Sequence, residues 1–168
     1  MKIIKEKCHY EIQLNTDNDR NVLLTLKDEN HPNYIGKGVN IIYIYSFVDS
    51  SIPYPNKEGK ILYIGEACKK ADPTGLRFYQ HISSKPNEGR NANGNYALNR
   101  YYWSGFKIAI DIFDIGDVTK ERRKKIERYL IDSHVKIYGA LPIAQGTSGV
   151  LVSEISCIDE SKAEEFFI

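Results

Sequence analysis

The chain of 168 residues is long enough for one domain with a buried core and short for two. Its formal net charge of +1 gives no overall attraction to nucleic acid, although a local basic patch could still provide one. The 42% of hydrophobic residues predicts a globular protein, and the three scattered cysteines predict reduced thiols in the cytoplasm. The sequence has no secretory leader and no apolar run of membrane length, so no membrane association is expected.

Residues 1–38 are predicted to form an N-terminal extension that packs on the core, because about 40 residues rarely sustain a core alone. Within it, residues 10–14 alternate between apolar and polar types, and an apolar run at residues 22–26 follows a polar turn. The pattern fits either a strand or hairpin, or a strand followed by a short helix.

Two runs rich in isoleucine, residues 41–45 and 61–65, are predicted to be antiparallel strands. The intervening residues 50–60 contain two prolines and are predicted to be a hairpin loop. Tyr43 and Tyr63 lie in these runs. Their side chains either pack in the core with the hydroxyl groups outward or belong to a functional site.

A helix is predicted over residues 74–84. Asp72-Pro73 is typical of a helix start, with a carboxylate at the N-cap and proline at the first helical position. The helix places Arg77 and His81 four residues apart on one face. A guanidinium and an imidazole beside tyrosines suit an anion better than a hydrophobic core.

The polar residues 83–99 are rich in asparagine and glycine and include Lys85 and Arg90. They form either a linker or a DNA-contacting loop, since asparagine and arginine are the residue types that bind adenine and guanine edges. Lys69, in the connection before the predicted helix, lies either near a phosphate or in solvent. Residues 106–113 alternate and are predicted to be a third strand.

A long helix is predicted to begin after Asp117 or Thr119 and to end at about Tyr138. Glu127 falls near the middle of its apolar stripe. A carboxylate there is unfavourable unless it is paired, protonated or bound to a metal. Glu127 therefore either bridges to a partner such as Arg77 or Arg123, or binds a metal ion.

Taken in order, these residues resemble the GIY-YIG nuclease family. Ile41-Ile42-Tyr43 stands in place of the first tripeptide, and Tyr63-Ile64-Gly65 matches the second. Arg77 and His81 match the Arg-x-x-x-His spacing of the family's helix. Glu127 lies where the family has its metal-binding glutamate, on a helix after the third strand.

The resemblance implies an α+β fold with a small antiparallel three-stranded central sheet flanked by helices, formed by residues 39–146. The extension 1–38 and a C-terminal strand and helix at 147–168 are additions to that core. The sequence departs from the family at Ile41, which replaces a glycine, and at Gln145, which replaces an asparagine. The connection at residues 66–76 is longer than is usual in the family.

The function implied is a metal-dependent DNA endonuclease. In this reading Glu127 binds one Mg²⁺ or Mn²⁺ ion, Arg77 clamps the phosphate, Tyr43 or Tyr63 takes the proton from water, and His81 relays or orients it. Residues that would contact the nucleic acid are Lys69, Lys85 and Arg90.

The absence of an appended DNA-binding module favours a small restriction-enzyme-like protein, and a palindromic target would call for a homodimer. The alternatives are a catalytically inactive nucleic-acid-binding module of the same fold, or an interaction protein whose tyrosines are only core. Double-stranded DNA, branched DNA and RNA all stay open as substrates.

Overall fold

The computed structural model describes residues 5–86 and 95–146, which form an α+β fold around an antiparallel sheet. Within those ranges the elements are β1 (Lys5–Ile12), a 3₁₀ helix (Arg20–Lys27), β2 (Ile41–Phe47), β3 (Ile52–Pro53), β4 (Glu58–Gly59), β5 (Ile61–Ala67), α1 (Leu76–His81), α2 (Tyr96–Trp103), β6 (Ile108–Asp114) and α3 (Lys120–Tyr138). Over the same ranges, no helix has the length and apolar character needed to cross a membrane.

The main sheet has the strand order β1-β6-β2-β5, and every neighbouring pair is antiparallel. β2 is buried along almost its whole length because both faces of the sheet are covered. On one face, Ile42 and Ile44 pack in a cluster with Ile126 of α3. On the other face, Tyr43 and Tyr45 pack towards α1. β5 is an edge strand of this sheet.

Several predicted elements are confirmed. β2 and β5 are antiparallel, β6 occupies most of the predicted third strand, and α3 has the predicted length. The Thr119 side chain caps α3 by accepting from the Arg122 backbone N–H at 3.2 Å. Gly139 ends the helix with a φ of +82°, in the left-handed region that glycine adopts without strain.

The prediction of a three-stranded sheet was wrong, because the sheet in the described residues has four strands. The fourth is β1, from the N-terminal extension, which pairs with β6 along its length. The 3₁₀ helix shows that a strand followed by a short helix, rather than a hairpin, is the correct alternative. Because the β1–β6 register joins His9 to Asp111, 102 positions apart, local sequence patterns could not reveal the pairing.

The 3₁₀ helix supports α1 through Arg20, a buried arginine. Its guanidinium donates to the Ile82 carbonyl oxygen at 3.0 Å and to the Tyr79 carbonyl oxygen at 3.3 Å. Carbonyl groups at the end of a helix lack partners within the helix, so Arg20 satisfies them. The N-terminal segment thereby holds the helix that carries Arg77 and His81.

The predicted start of α1 was also wrong. The helix is shorter than predicted, with Gly75 rather than Asp72 at its N-cap and no side-chain cap. Tertiary hydrogen bonds fix the preceding turn instead. The Thr74 hydroxyl donates to the Val39 carbonyl at 3.2 Å and accepts from the Lys69 backbone N–H at 3.1 Å. These bonds determine where the chain can turn into the helix.

Part of the polar segment predicted as a loop is helical. Asn95 caps α2 by accepting from the Leu98 backbone N–H at 3.0 Å, a role for which asparagine is well suited. The middle of the segment, residues 87–94 with Arg90, lies outside the described residues. The predicted strand and helix at residues 147–168 also lie outside them.

Candidate active site

Three tyrosines and a histidine cluster on the face of the sheet that α1 covers. Tyr43 and Tyr45 project from β2, and Tyr63 projects from β5 opposite Tyr45. His81, the last residue of α1, lies between the first two: its Nδ1 is 3.1 Å from the Tyr45 hydroxyl, and its Nε2 is 3.5 Å from the Tyr43 hydroxyl. Tyr43 and Tyr45 are 0% exposed, whereas Tyr63 is partly exposed. Tyr63 is therefore the tyrosine of this cluster that solvent can reach.

The glycine of the Tyr63-Ile64-Gly65 run is required by the cluster itself. Gly65 pairs with Tyr43 across β2 and β5, and the Tyr43 phenol lies over it. A Cβ atom at position 65 would be 2.5 Å from both the hydroxyl oxygen and Cζ of Tyr43. Since Tyr43 is fully buried, its ring has no room to move away.

Arg77 brings a positive charge to the cluster. Its guanidinium is in polar contact with the Tyr43 hydroxyl. Burial raises the pKa of Tyr43 and of Tyr45 well above the ordinary value, and the Arg77 charge acts in the opposite direction. Burial, together with the charges of Arg77 and Lys69, holds the pKa of His81 well below its usual range. The His81 imidazole is therefore neutral at physiological pH.

Tyr63 lies between charges of opposite sign. Its ring stacks on that of Tyr43, with centroids 6.1 Å apart and an angle of 28° between the planes. Burial and then the negative charge of Glu127 raise the pKa of Tyr63, while the Arg77 charge and the Tyr43 hydroxyl lower it. The phenol is thus flanked by a cation from α1 and a carboxylate from α3.

The carboxylate side of the site lies across β5 from the tyrosines. Arg123 of α3 forms an ion pair with Glu66 of β5, and its Nη1 donates to Asn40 Oδ1 at 2.5 Å. Among the described residues, Glu127 itself forms no ion pair, so the predicted bridge to an arginine is not made. Arg123 is held by Glu66 instead.

This arrangement leaves the Glu127 carboxyl in an environment that disfavours its charge. Burial and then the negative charge of Glu66 raise the pKa of Glu127 to about 7. The backbone N–H of Glu66 faces the carboxyl, and together with the Lys124 and Arg123 charges it acts in the opposite direction. A cation bound at Glu127 would stabilise the charged form of its carboxyl group.

The outer edge of β5 is closed by the chain that follows α3. Gln145 Oε1 accepts from the Ile64 backbone N–H at 3.1 Å, and the Ala144 backbone N–H donates to the Leu62 carbonyl at 2.9 Å. Gln145 therefore holds the edge of the strand directly beside Tyr63.

The structure brings Tyr43, Tyr63, Arg77 and His81 together and places Glu127 next to them around the edge of β5. The charge of Lys69 also acts on His81, so this lysine lies beside the cluster, where its Nζ donates to Gln80 Oε1 at 3.0 Å. Lys85 is exposed in the chain that follows α1, and Arg90 lies outside the described residues.

Two members of the site, Tyr45 and Glu66, are not among the residues predicted from the sequence. Tyr45 is two residues after Tyr43, a spacing that puts both on one face of a strand, so the signal was present. Glu66 directly follows the Tyr63-Ile64-Gly65 run, but only the pairing of β5 with α3 shows that its carboxylate engages Arg123.

No group of three or more His, Cys, Asp or Glu side chains in the described ranges could hold a metal ion. The donor that the site does offer, the carboxylate of Glu127, is the kind of hard oxygen ligand that Mg²⁺ and Mn²⁺ prefer. With so few carboxylates, water and phosphate oxygens would complete the coordination, as Mg²⁺ accepts. The residues present therefore fit one such ion.

Comparison of the chain with protein-family models, with curated proteins and with solved structures gave no match.

Proposed function

We propose that this protein is a divalent-metal-dependent endonuclease that hydrolyses phosphodiester bonds in DNA. One observation carries the proposal: Tyr63, a partly exposed tyrosine on an edge strand, lies between the charges of Arg77 and Glu127. A proton acceptor, a phosphate-binding cation and a carboxylate ligand are the groups that metal-assisted hydrolysis needs.

Each side chain has a role that follows from its surroundings. Arg77 binds the non-bridging oxygens of the phosphate and offsets the negative charge that develops on them. Tyr63 takes the proton of the attacking water as its phenolate, a form that the Arg77 charge and the Tyr43 hydroxyl favour, and it is the cluster tyrosine that water can reach. Neutral His81 holds Tyr43, and Tyr43 in turn contacts both Arg77 and Tyr63.

Glu127 is the residue that would hold the metal ion. When bound, the ion supplies charge neutralisation at the phosphoryl oxygens and at the departing oxygen. The contribution of the protein is to keep the Glu127 carboxylate free of an arginine partner, since Arg123 is engaged by Glu66 and Asn40.

DNA would approach the site where Tyr63 and Glu127 are each partly exposed. Lys69 beside the cluster and the exposed Lys85 are suited to contact flanking phosphates. A palindromic target would be cut by two copies of the protein, one on each strand.

The proposal is tested by plasmid cleavage with Mg²⁺ or Mn²⁺, comparing the parent protein with Glu127→Gln, Arg77→Ala and Tyr63→Phe. Each variant is expected to cut at least about 100-fold more slowly while keeping its fold by circular dichroism. Glu121→Gln, an exposed glutamate in α3, and Arg100→Ala, an exposed arginine in α2, serve as matched controls that should cut like the parent.

Discrete bands from the parent would indicate a sequence-specific nuclease, and random nicking lost in the variants would indicate the same chemistry without a fixed target. If the folded parent binds DNA but does not cut it with either metal, the protein is a binding module and the proposal is wrong.

A further inference from the structure

Tyr45 has a hydroxyl group buried in the site with a single partner. The side chain is 0% exposed, and its oxygen lies 3.1 Å from Nδ1 of His81. Among the residues that the structure describes, no other group accepts or donates a hydrogen bond at this hydroxyl. A buried hydroxyl proton without an acceptor is unfavourable, so the proton of Tyr45 must go to His81.

The direction of this hydrogen bond fixes the protonation of the imidazole. If Tyr45 donates to Nδ1, then Nδ1 carries no proton, and the neutral His81 ring has its proton on Nε2. The opposite tautomer would make Nδ1 a donor to Tyr45 and leave the Tyr45 proton without an acceptor. Burial also disfavours a doubly protonated ring.

The Nε2–H group of His81 then points at the Tyr43 hydroxyl, 3.5 Å away. The positive charge of Arg77 acts on the same hydroxyl. With an N–H group directed at its oxygen, Tyr43 cannot donate to His81, so its own proton must point elsewhere. The ring of Tyr63 stacks on that of Tyr43 with centroids 6.1 Å apart, so the Tyr63 hydroxyl is the neighbouring oxygen.

We propose that Tyr45 is a positioning residue that fixes His81 as the Nε2–H tautomer and so directs the Tyr43 proton towards the Tyr63 oxygen. Two hydrogen bonds run in one direction, from Tyr45 to His81 and from His81 to Tyr43, and the Tyr43 proton is left to point towards Tyr63. A phenolate at the partly exposed Tyr63 thereby gains a donor. The consequence for cleavage rests on the proposed function, whereas the tautomer does not.

The tautomer is measured directly by ¹⁵N NMR of the histidine rings, in which a protonated and an unprotonated ring nitrogen have well-separated shifts. The chain contains four histidines, so the His81 signals are assigned with a His81→Gln variant. We expect the Nε2–H form in the parent and a shift towards the Nδ1–H form in Tyr45→Phe. An Nδ1–H or doubly protonated ring in the parent, or no change in the variant, would overturn the proposal.

The role in cleavage is measured with the same Tyr45→Phe variant. We expect kcat to fall about 10-fold while KM for DNA stays within about 2-fold, because the variant alters proton placement and not binding. Tyr102→Phe is the matched control: Tyr102 is also 0% exposed, and its hydroxyl donates to Asp19 at 2.7 Å and accepts from the Arg20 backbone N–H at 3.0 Å, with no contact to the cluster. It should lose comparable stability and keep kcat.

An unchanged kcat in Tyr45→Phe, or an equal loss in Tyr102→Phe, would contradict the positioning role. If the parent protein does not cut DNA at all, the proposed function fails. The tautomer measured by NMR then still decides the assignment of the Tyr45–His81 hydrogen bond.

Discussion

The Glu127 carboxyl is largely removed from solvent and lies close to a second carboxylate, that of Glu66. These surroundings raise its pKa to about 7. In the unfolded chain the pKa of a glutamate is near 4.3, so between these two values the folded protein binds a proton that the unfolded chain has released. The contribution of Glu127 to stability therefore falls as the pH rises from about 4.5 to 7 and does not change above that range.

Glu127→Gln removes this titration. In the presence of a chelator, we expect the variant to be more stable than the parent above pH 7, by up to about 3 kcal/mol, and the difference to shrink towards pH 4.5. Urea unfolding across pH 4.5–8.5 measures both curves. Parallel curves for the two proteins would show that the carboxyl has an ordinary pKa.

Divalent metal should reduce the stability difference between the two proteins at pH 8. An ion that binds only the folded parent stabilises it by about 1.4 kcal/mol at a free concentration ten times its dissociation constant. Thermal unfolding with MgCl₂ or MnCl₂ should therefore show a metal-dependent rise in Tm for the parent and none for Glu127→Gln. An equal rise in both proteins would place the metal away from Glu127.

Gly65 is the residue on which the packing of Tyr43 depends. Gly65→Ala inserts a Cβ where the Tyr43 hydroxyl and ring lie, so we expect a loss of about 1–3 kcal/mol in stability and a large loss of cleavage. Gly146→Ala is the control, because among the described residues no atom outside its chain neighbours lies within 4 Å of a Cβ there. Denaturant unfolding measures the stability and plasmid cleavage measures the activity. A stable, active Gly65→Ala protein would disprove the close packing of Tyr43 on Gly65.

At the scale of whole elements, the N-terminal segment is joined to the core at two places. β1 completes the sheet beside β6, and Arg20 of the 3₁₀ helix holds the carbonyl groups at the end of α1. A segment that looks like an addition in the sequence therefore supports the helix on which Arg77 and His81 depend.

The β1–β6 pair carries a pH-dependent contact. His9 Nδ1 lies 2.5 Å from Asp111 Oδ1, and this hydrogen bond, aided by the Asp111 and Glu11 charges, raises the pKa of His9. The contact stabilises the fold fully below pH 6.5 and is lost as the pH rises through the higher folded-state value.

His9→Gln should therefore destabilise the protein at pH 5.5–6 and have little effect at pH 9. Because the side chain is half exposed, the expected size is no more than about 1 kcal/mol. Urea unfolding at the two pH values measures this loss of stability. His31→Gln is the control, because His31 lies outside the sheet. A loss that is independent of pH would mean that the hydrogen bond does not depend on the histidine charge.

For the whole molecule, the sequence predicted the parts whose cause is local. The isoleucine and tyrosine runs specify β2 and β5, and Thr119 and Gly139 mark the ends of α3. The grouping of Tyr43 with Tyr63 also follows, since two adjacent strands carry them.

The parts that could not be predicted depend on contacts between distant segments. Asp72 carries a typical N-cap signal, yet hydrogen bonds of Thr74 to Val39 and Lys69 decide where α1 begins. Likewise, Arg123 lies one helical turn before Glu127 and could pair with it, but in the structure Arg123 forms its ion pair with Glu66. The start of α1 and the partner of Arg123 depend on residues that are close in space and far apart in sequence, which sequence spacing does not predict.

The side-chain amide of Gln145 has a consequence for how molecules can associate. At the outer edge of β5 the N–H of Ile64 is bonded to this amide, and the N–H of Glu66 faces Glu127. An edge whose donors are already occupied cannot act as a template for a further strand. Among the described residues, β5 therefore offers a second copy of the protein fewer free donors for sheet formation than an open edge would. A ligand that brings no β-strand of its own, such as a nucleic-acid backbone, does not depend on those donors.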